Sequence, residues 1–102
     1  MMKTIKFSTL AKKLGAFRCV DSLESRRGGN ASNQFVVRFE NGEIFQSYRT
    51  IIGVKLDGKV YLTSSYNYSM TTIYYTDQWL NMKISDIRNK ISSGEFQMIS
   101  ED

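Results

Sequence analysis

Two Xaa-Gly pairs, Asn41-Gly42 and Asp57-Gly58, each stand between short runs in which apolar and polar side chains alternate. A period of two lays alternate side chains on opposite faces of a strand. A two-residue loop needing positive φ at both central positions favours Asn-Gly and Asp-Gly. The pattern predicts two β-hairpins. In the first, residues 35–40 place Phe35, Val37 and Phe39 on one face. Residues 43–48 return with Ile44, Gln46 and Tyr48 opposed to Phe45 and Ser47. In the second, residues 51–56 group Ile52, Val54 and Leu56, and residues 59–63 bring back Val60 and Leu62 opposite Tyr61. Four antiparallel strands in a meander follow.

The flanks predict helices. Residues 8–14 read as a short helix, with Ser8 or Thr9 as cap, Leu10 and Leu14 on one face and Gly15 at its end. Residues 16–21 predict a strand with Phe17 and Cys19 on one side and Arg18 and Val20 on the other. Residues 24–34, rich in Gly, Asn and Ser, read as a loop. Residues 64–71 read as loop or strand. A helix then runs to about Asn81, with Ser69 or Thr71 as its cap. In the last helix Ser85 is the expected cap, Ile84, Ile87 and Ile91 share a face, and Gly94 stops it. Residues 95–99 close as a fifth strand or pack as a tail. The expected fold is α+β: an antiparallel meander of four to five strands, with a short N-terminal helix and one or two C-terminal helices packed on one face. At 102 residues the chain has room for one interior, and residues 1–102 read as a single domain.

Composition narrows the chemistry. Hydrophobic residues make up 41%, enough for one core. One cysteine, Cys19, forms no internal bridge, which excludes a disulfide-stapled scaffold. It reads as a small buried residue. No apolar run approaches the roughly 20 residues that cross a bilayer, and the N-terminal run is broken by Ser8, Thr9, Lys12 and Lys13. A cytoplasmic location, within a host cell, and no membrane partner are expected. The absence of histidine removes histidine-based triads, bases and metal sites. The close carboxylate pairs are Asp21 with Glu24 and Glu40 with Glu43, the latter beside a turn where charges face water. Gly28-Gly29 has no following Gly-Lys-Ser/Thr and is not a phosphate loop. No catalytic constellation, metal or cofactor is expected.

Binding features are denser. Residues 1–50 carry nine Lys/Arg against four Asp/Glu, and residues 51–102 carry five against six. The positive excess includes Lys12, Lys13, Arg26 and Arg27. Four of the six tyrosines, Tyr66, Tyr68, Tyr74 and Tyr75, fall within ten residues. Tyrosine offers a wide contact area with a polar tip, which suits interfaces. Either these rings and cations meet a partner, or the rings complete a small core while the cations keep the surface solvated. Trp79, beside Leu80, reads as core. A nucleic-acid reading seats phosphates on the cations and unstacked bases on the rings. It needs both segments on one face, and no RNA-recognition signature or helix-turn-helix accompanies it.

Over about residues 40–99 the chain resembles a family of small uncharacterised proteins common in bacteriophages and mobile elements. The resembling pieces are the run from Phe45 to Val54, the run from Asp57 to Thr63, the Thr71-Thr72 pair before a stretch ending in Trp79-Leu80, and the run from Ile91 to Phe96. A Thr-Thr-Ser-Lys-His-like run is typical of that family. Here Ile73-Tyr74-Tyr75 follows Thr71-Thr72, so any role of that lysine and histidine does not transfer. The resemblance implies a phage-like origin and an α+β fold, and no established activity. By analogy the leading expectation is a phage-type accessory protein. It would occlude a host protein or protein–nucleic-acid complex, as an anti-CRISPR-like inhibitor of a defence or nucleic-acid-processing complex would. The alternative is a direct DNA- or RNA-binding protein using the basic loop and exposed tyrosines. A histidine-free enzyme using carboxylates is a third class. A homodimer could form through an edge strand or the aromatic segment.

Overall fold

In the computed structural model, residues 5–101 are described. Seven strands form one mixed sheet in the order β1-β7-β6-β5-β4-β3-β2. In chain order the elements are β1 (Ile5–Lys6), α1 (Phe7–Ala11), β2 (Phe17–Glu24), β3 (Asn30–Phe39), β4 (Gly42–Ser47), β5 (Thr50–Leu56) and β6 (Lys59–Leu62). A 3-10 helix (Ser64–Asn67), α2 (Met70–Leu80), α3 (Ile84–Ser93) and β7 (Gln97–Ser100) follow. The fold is α+β as expected, but the sheet is larger and not wholly antiparallel. β2 to β6 form the antiparallel meander, whereas β7 lies parallel to β6 and β1 parallel to β7. A parallel neighbour requires a crossover. Here α2 and α3 supply it between β6 and β7.

Apolar side chains fill both faces of the sheet. On one, Val36, Phe45, Ile52 and Leu62 meet Trp79, Leu80 and Ile87 of the two long helices, with Phe96. On the other, Ile44, Val54, Leu56, Tyr61 and Ile99 pack with Leu10 and Leu14. The N-terminal helix therefore covers the face opposite α2 and α3, against the expectation that all helices share one face. The strands can supply two cores because adjacent residues such as Ile44 and Phe45 point to opposite sides and are both apolar.

Bulges reset the predicted faces. Gln46 pairs with Ile51 but Phe45 with Gly53, so Ile52 is an inserted residue in β5. Ile52 consequently joins the α2–α3 face while Val54 and Leu56 take the other, correcting the grouping of all three. In β2 an insertion between Phe17 and Cys19 puts Phe17 opposite Phe39 and Val20 opposite Val37, on one face. Phe17 and Cys19 are therefore not companions. Cys19 is exposed on this edge strand rather than buried.

Turn chemistry held at one hairpin and failed at the other. Asp57 and Gly58 both have positive φ (50° and 79°) between paired Leu56 and Lys59. In the first hairpin Phe39 pairs with Gly42, so the loop is Glu40-Asn41, neither with positive φ. Gly42 is needed for another reason: a Cβ there would lie 2.0 Å from the Lys55 carbonyl oxygen. The expected 24–34 loop is mostly strand. Its tight part is Ser25–Gly29, where the Ser25 N–H donates to the Gly29 oxygen and the Gly28 N–H to the Ser25 oxygen.

Helix ends also differ. The first helix starts at Phe7 after Lys6, with no side-chain cap from Ser8 or Thr9. The segment before α2 is a 3-10 helix, and Ser69 caps α2 by accepting from the Thr72 N–H. Ser85 does not cap α3; Lys83 stands at that position without a side-chain cap. The Asp77 carboxyl accepts a backbone hydrogen bond from Ile84 instead. Gly94 ends α3 in the left-handed region, as predicted. Among the described residues no helix is long and apolar enough to cross a membrane.

Candidate functional site

The Ser25–Gly29 turn, the Tyr48-Arg49 turn between β4 and β5, and the start of α2 lie at one end of the sheet. Their proximity follows from register: β3 brings Gln34 opposite Ser47, and the Tyr48 N–H donates to the Asn33 oxygen at 2.7 Å. At the outer corner the Gln78 side chain of α2 grips the backbone of Glu24, accepting from its N–H at 2.7 Å and donating to its oxygen at 2.8 Å. That contact fixes the arginine turn beside α2.

Two concavities open on this end. The first, of about 580 Å³, is lined by the hydroxyl-bearing residues Ser47, Thr50, Ser65, Ser69, Thr71 and Thr72, by Tyr48 and Tyr68, and by Ile52 and Glu101. The second, of about 460 Å³, is lined by Ser25, Arg26, Arg27, Met70, Thr71, Tyr74 and Tyr75. Thr71 belongs to both, so the two are neighbours. Their size falls in the range of ligand-holding clefts.

The rings here are not equivalent. Tyr68 is 83% exposed and Tyr48 60% exposed. Tyr74 and Tyr75 meet edge to face, 4.9 Å between centroids, and Tyr75 leans on the core with Tyr66. Arg26 lies 4.3 Å above the Tyr74 ring. Such stacking orients a guanidinium while leaving its N–H groups free. Among the described residues neither Arg26 nor Arg27 forms an ion pair. In the first cleft Glu101 is held by the Ser65 hydroxyl, which donates to Oε1 at 2.9 Å.

Of the predicted partner-binding residues, Arg26, Arg27, Tyr68, Tyr74 and Tyr75 converge on this end. Tyr66 is half-buried, and its carbonyl accepts from the Thr76 hydroxyl at 3.2 Å. Lys12 and Lys13 are exposed, but they adjoin the other end of β2 and β3, where the Asn41 N–H meets the Leu14 oxygen. Eight residues of β2 separate the two ends, roughly 25 Å at strand rise, so these lysines are not part of the face.

The sequence pattern does not single out Tyr48 and Met70, which line the two concavities. The alternation in residues 43–48 places Tyr48 at the end of a strand, because Ser-Tyr-Arg-Thr lacks the Gly, Asn or Asp of a tight hairpin turn. Yet Ser47 pairs with Thr50, and Tyr48 takes positive φ, 56°, rare for a bulky residue.

The carboxylate pairs do not assemble. Asp21 and Glu43 flank Arg38 instead, both accepting from its guanidinium. Among the described residues no three acidic or cysteine side chains cluster in a metal-holding arrangement.

Residues 21–97 match the model of a family of unknown function, DUF8033. No curated protein matches the chain, nor does any solved structure.

Proposed function

We propose, on the premise that the chain belongs to the DUF8033 family of unknown function, that it is a binding protein. It acts by occluding a host macromolecular complex of defence or nucleic-acid processing, as a phage-type accessory protein does. The observation carrying this reading is the sheet end itself. An arginine stacked 4.3 Å over Tyr74, without a carboxylate partner among the described residues, adjoins a cleft flanked by exposed Tyr48 and Tyr68. Exposed tyrosine rings beside arginine guanidinium groups are the side chains that dominate binding hot spots. They contribute little to folding where they stand. The rigid platform beneath them limits the entropy lost on association.

Affinity capture from host lysate, with and without nuclease, tests this reading. The parent chain should retain a complex that Tyr68→Ala and Arg26→Ala fail to retain. Equal retention by all three chains would remove this face from the function.

A further inference from the structure

The two neighbouring concavities differ in lining. One offers phenol rings and hydroxyls, the other guanidinium groups. We propose that this end of the sheet binds single-stranded nucleic acid: a base and its sugar sit in the cleft between Tyr48 and Tyr68, and the adjoining phosphate sits on Arg26 and Arg27. The inference rests on the binding reading above and names the partner class within it.

Each half of the surface answers one half of a nucleotide. Bases present a π-face to a phenol ring whatever their sequence. The Ser69 and Thr72 hydroxyls bond each other at 3.0 Å and Ser65 is engaged by Glu101, so the hydroxyls of Thr50 and Thr71, which both donate and accept, are the ones to meet base edges and sugar hydroxyls. The stacked Arg26 keeps its planar fork of donors for phosphate oxygens. Glu101, exposed on the lining of the hydroxyl cleft, repels phosphate from that side and sets the ligand's direction, phosphate toward Arg26. The strand must be unpaired, because a duplex keeps its base faces stacked away from the rings. An acidic peptide would satisfy the arginines but would place carboxylates beside Glu101 or leave the hydroxyl cleft unused.

Fluorescence anisotropy of the full chain with labelled oligo-dT and oligo-U of about 12 nucleotides, and with a duplex of equal length, tests the assignment. With two phosphates neutralised, affinity for the single strands should fall about sevenfold between about 50 and about 200 mM salt. Tyr68→Ala should weaken binding about tenfold, while Tyr68→Phe retains it, because stacking needs the ring and not the hydroxyl. Arg26→Ala with Arg27→Ala should weaken binding about tenfold and flatten the salt dependence. Lys12→Ala with Lys13→Ala should leave binding unchanged. Thermal melts of each variant confirm folding, and these side chains are exposed or line open clefts. Absence of single-strand binding at the lower salt, equal affinity for duplex, or equal loss with the lysine pair would overturn the proposal. If oligonucleotides do not bind, while a nuclease-resistant complex is still captured through Tyr68, the nucleic-acid assignment fails and the binding function stands. If neither occurs, both fail.

Discussion

The indole N–H of Trp79 donates to Glu43 Oε2 at 2.7 Å, fastening α2 to the centre of the sheet. Glu43 is one rung of a row of alternating charge across four strands. Arg38 of β3 donates to Asp21 of β2 and, at 2.9 Å, to Glu43 of β4. Lys55 of β5 stands 3.8 Å from Glu43 and 4.8 Å from the indole centroid. Its ammonium also donates to the Trp79 carbonyl at 2.9 Å. Burial holds the Lys55 pKa below the ordinary lysine value, with the Glu43 carboxylate opposing that shift. Removing the carboxylate would leave the indole N–H without its acceptor and the half-buried ammonium without its counter-charge.

Glu43→Ala should therefore lower stability by about 2 kcal/mol. Glu43→Gln should cost about half of that, since its amide oxygen still accepts from Trp79. Urea denaturation with unchanged m-value reads both. An unchanged midpoint for Glu43→Ala would show that the row contributes nothing to folding.

Gly53 sits beneath the same indole. A Cβ there would lie 2.7 Å from Trp79 Cζ3 and 2.9 Å from both Leu62 Cδ2 and the Tyr61 oxygen. Gly53→Ala should destabilise by about 2–3 kcal/mol through overpacking. A melting temperature equal to the parent's would mean that the helix slides freely over the sheet.

Asp77 titrates against folding. Burial raises its carboxyl pKa, and the hydrogen bond from Ile84 opposes that rise; Oδ1 is buried without a partner among the described residues. A carboxyl whose folded pKa exceeds its unfolded value binds its proton more tightly in the native state. Its contribution is thus most favourable below the ordinary aspartate value and declines as pH climbs through the raised one. Asp77→Asn should be more stable than the parent at neutral pH by less than about 1 kcal/mol. That advantage should shrink on acidification. Denaturation midpoints at about pH 3.5 and about pH 7 measure it, and a pH-independent gap would contradict the assignment.

Tyr48 holds a left-handed backbone at φ 56° with a 60% exposed ring. That conformation costs a non-glycine residue about 1 kcal/mol. Tyr48→Gly should raise stability by about 0.5 kcal/mol, the remainder offset by glycine's extra freedom when unfolded. It should also weaken any ligand of the hydroxyl cleft. A variant that is less stable than the parent would show that the ring packs rather than binds.

Local chemistry was enough to specify the central meander, the Asp57-Gly58 turn, the left-handed stop at Gly94 and the apolar face of α3. Each is set by residues within a few positions of one another, so period and turn propensity reach them. The second core, the parallel strands β7 and β1 and the Ile52 bulge depend on which surfaces meet across the sheet, and no window of sequence carries that. Asn41-Gly42 shows the limit: its glycine answers the approach of Lys55 on the next strand, not a turn's need for positive φ. The same division holds at the binding face. Arginine and tyrosine side chains were visible as a composition, but only tertiary packing brought Arg26 onto Tyr74, added Tyr48 and left Lys12 and Lys13 at the far end. Strand register fixes which loops share an end of a sheet, and register is decided by long-range burial.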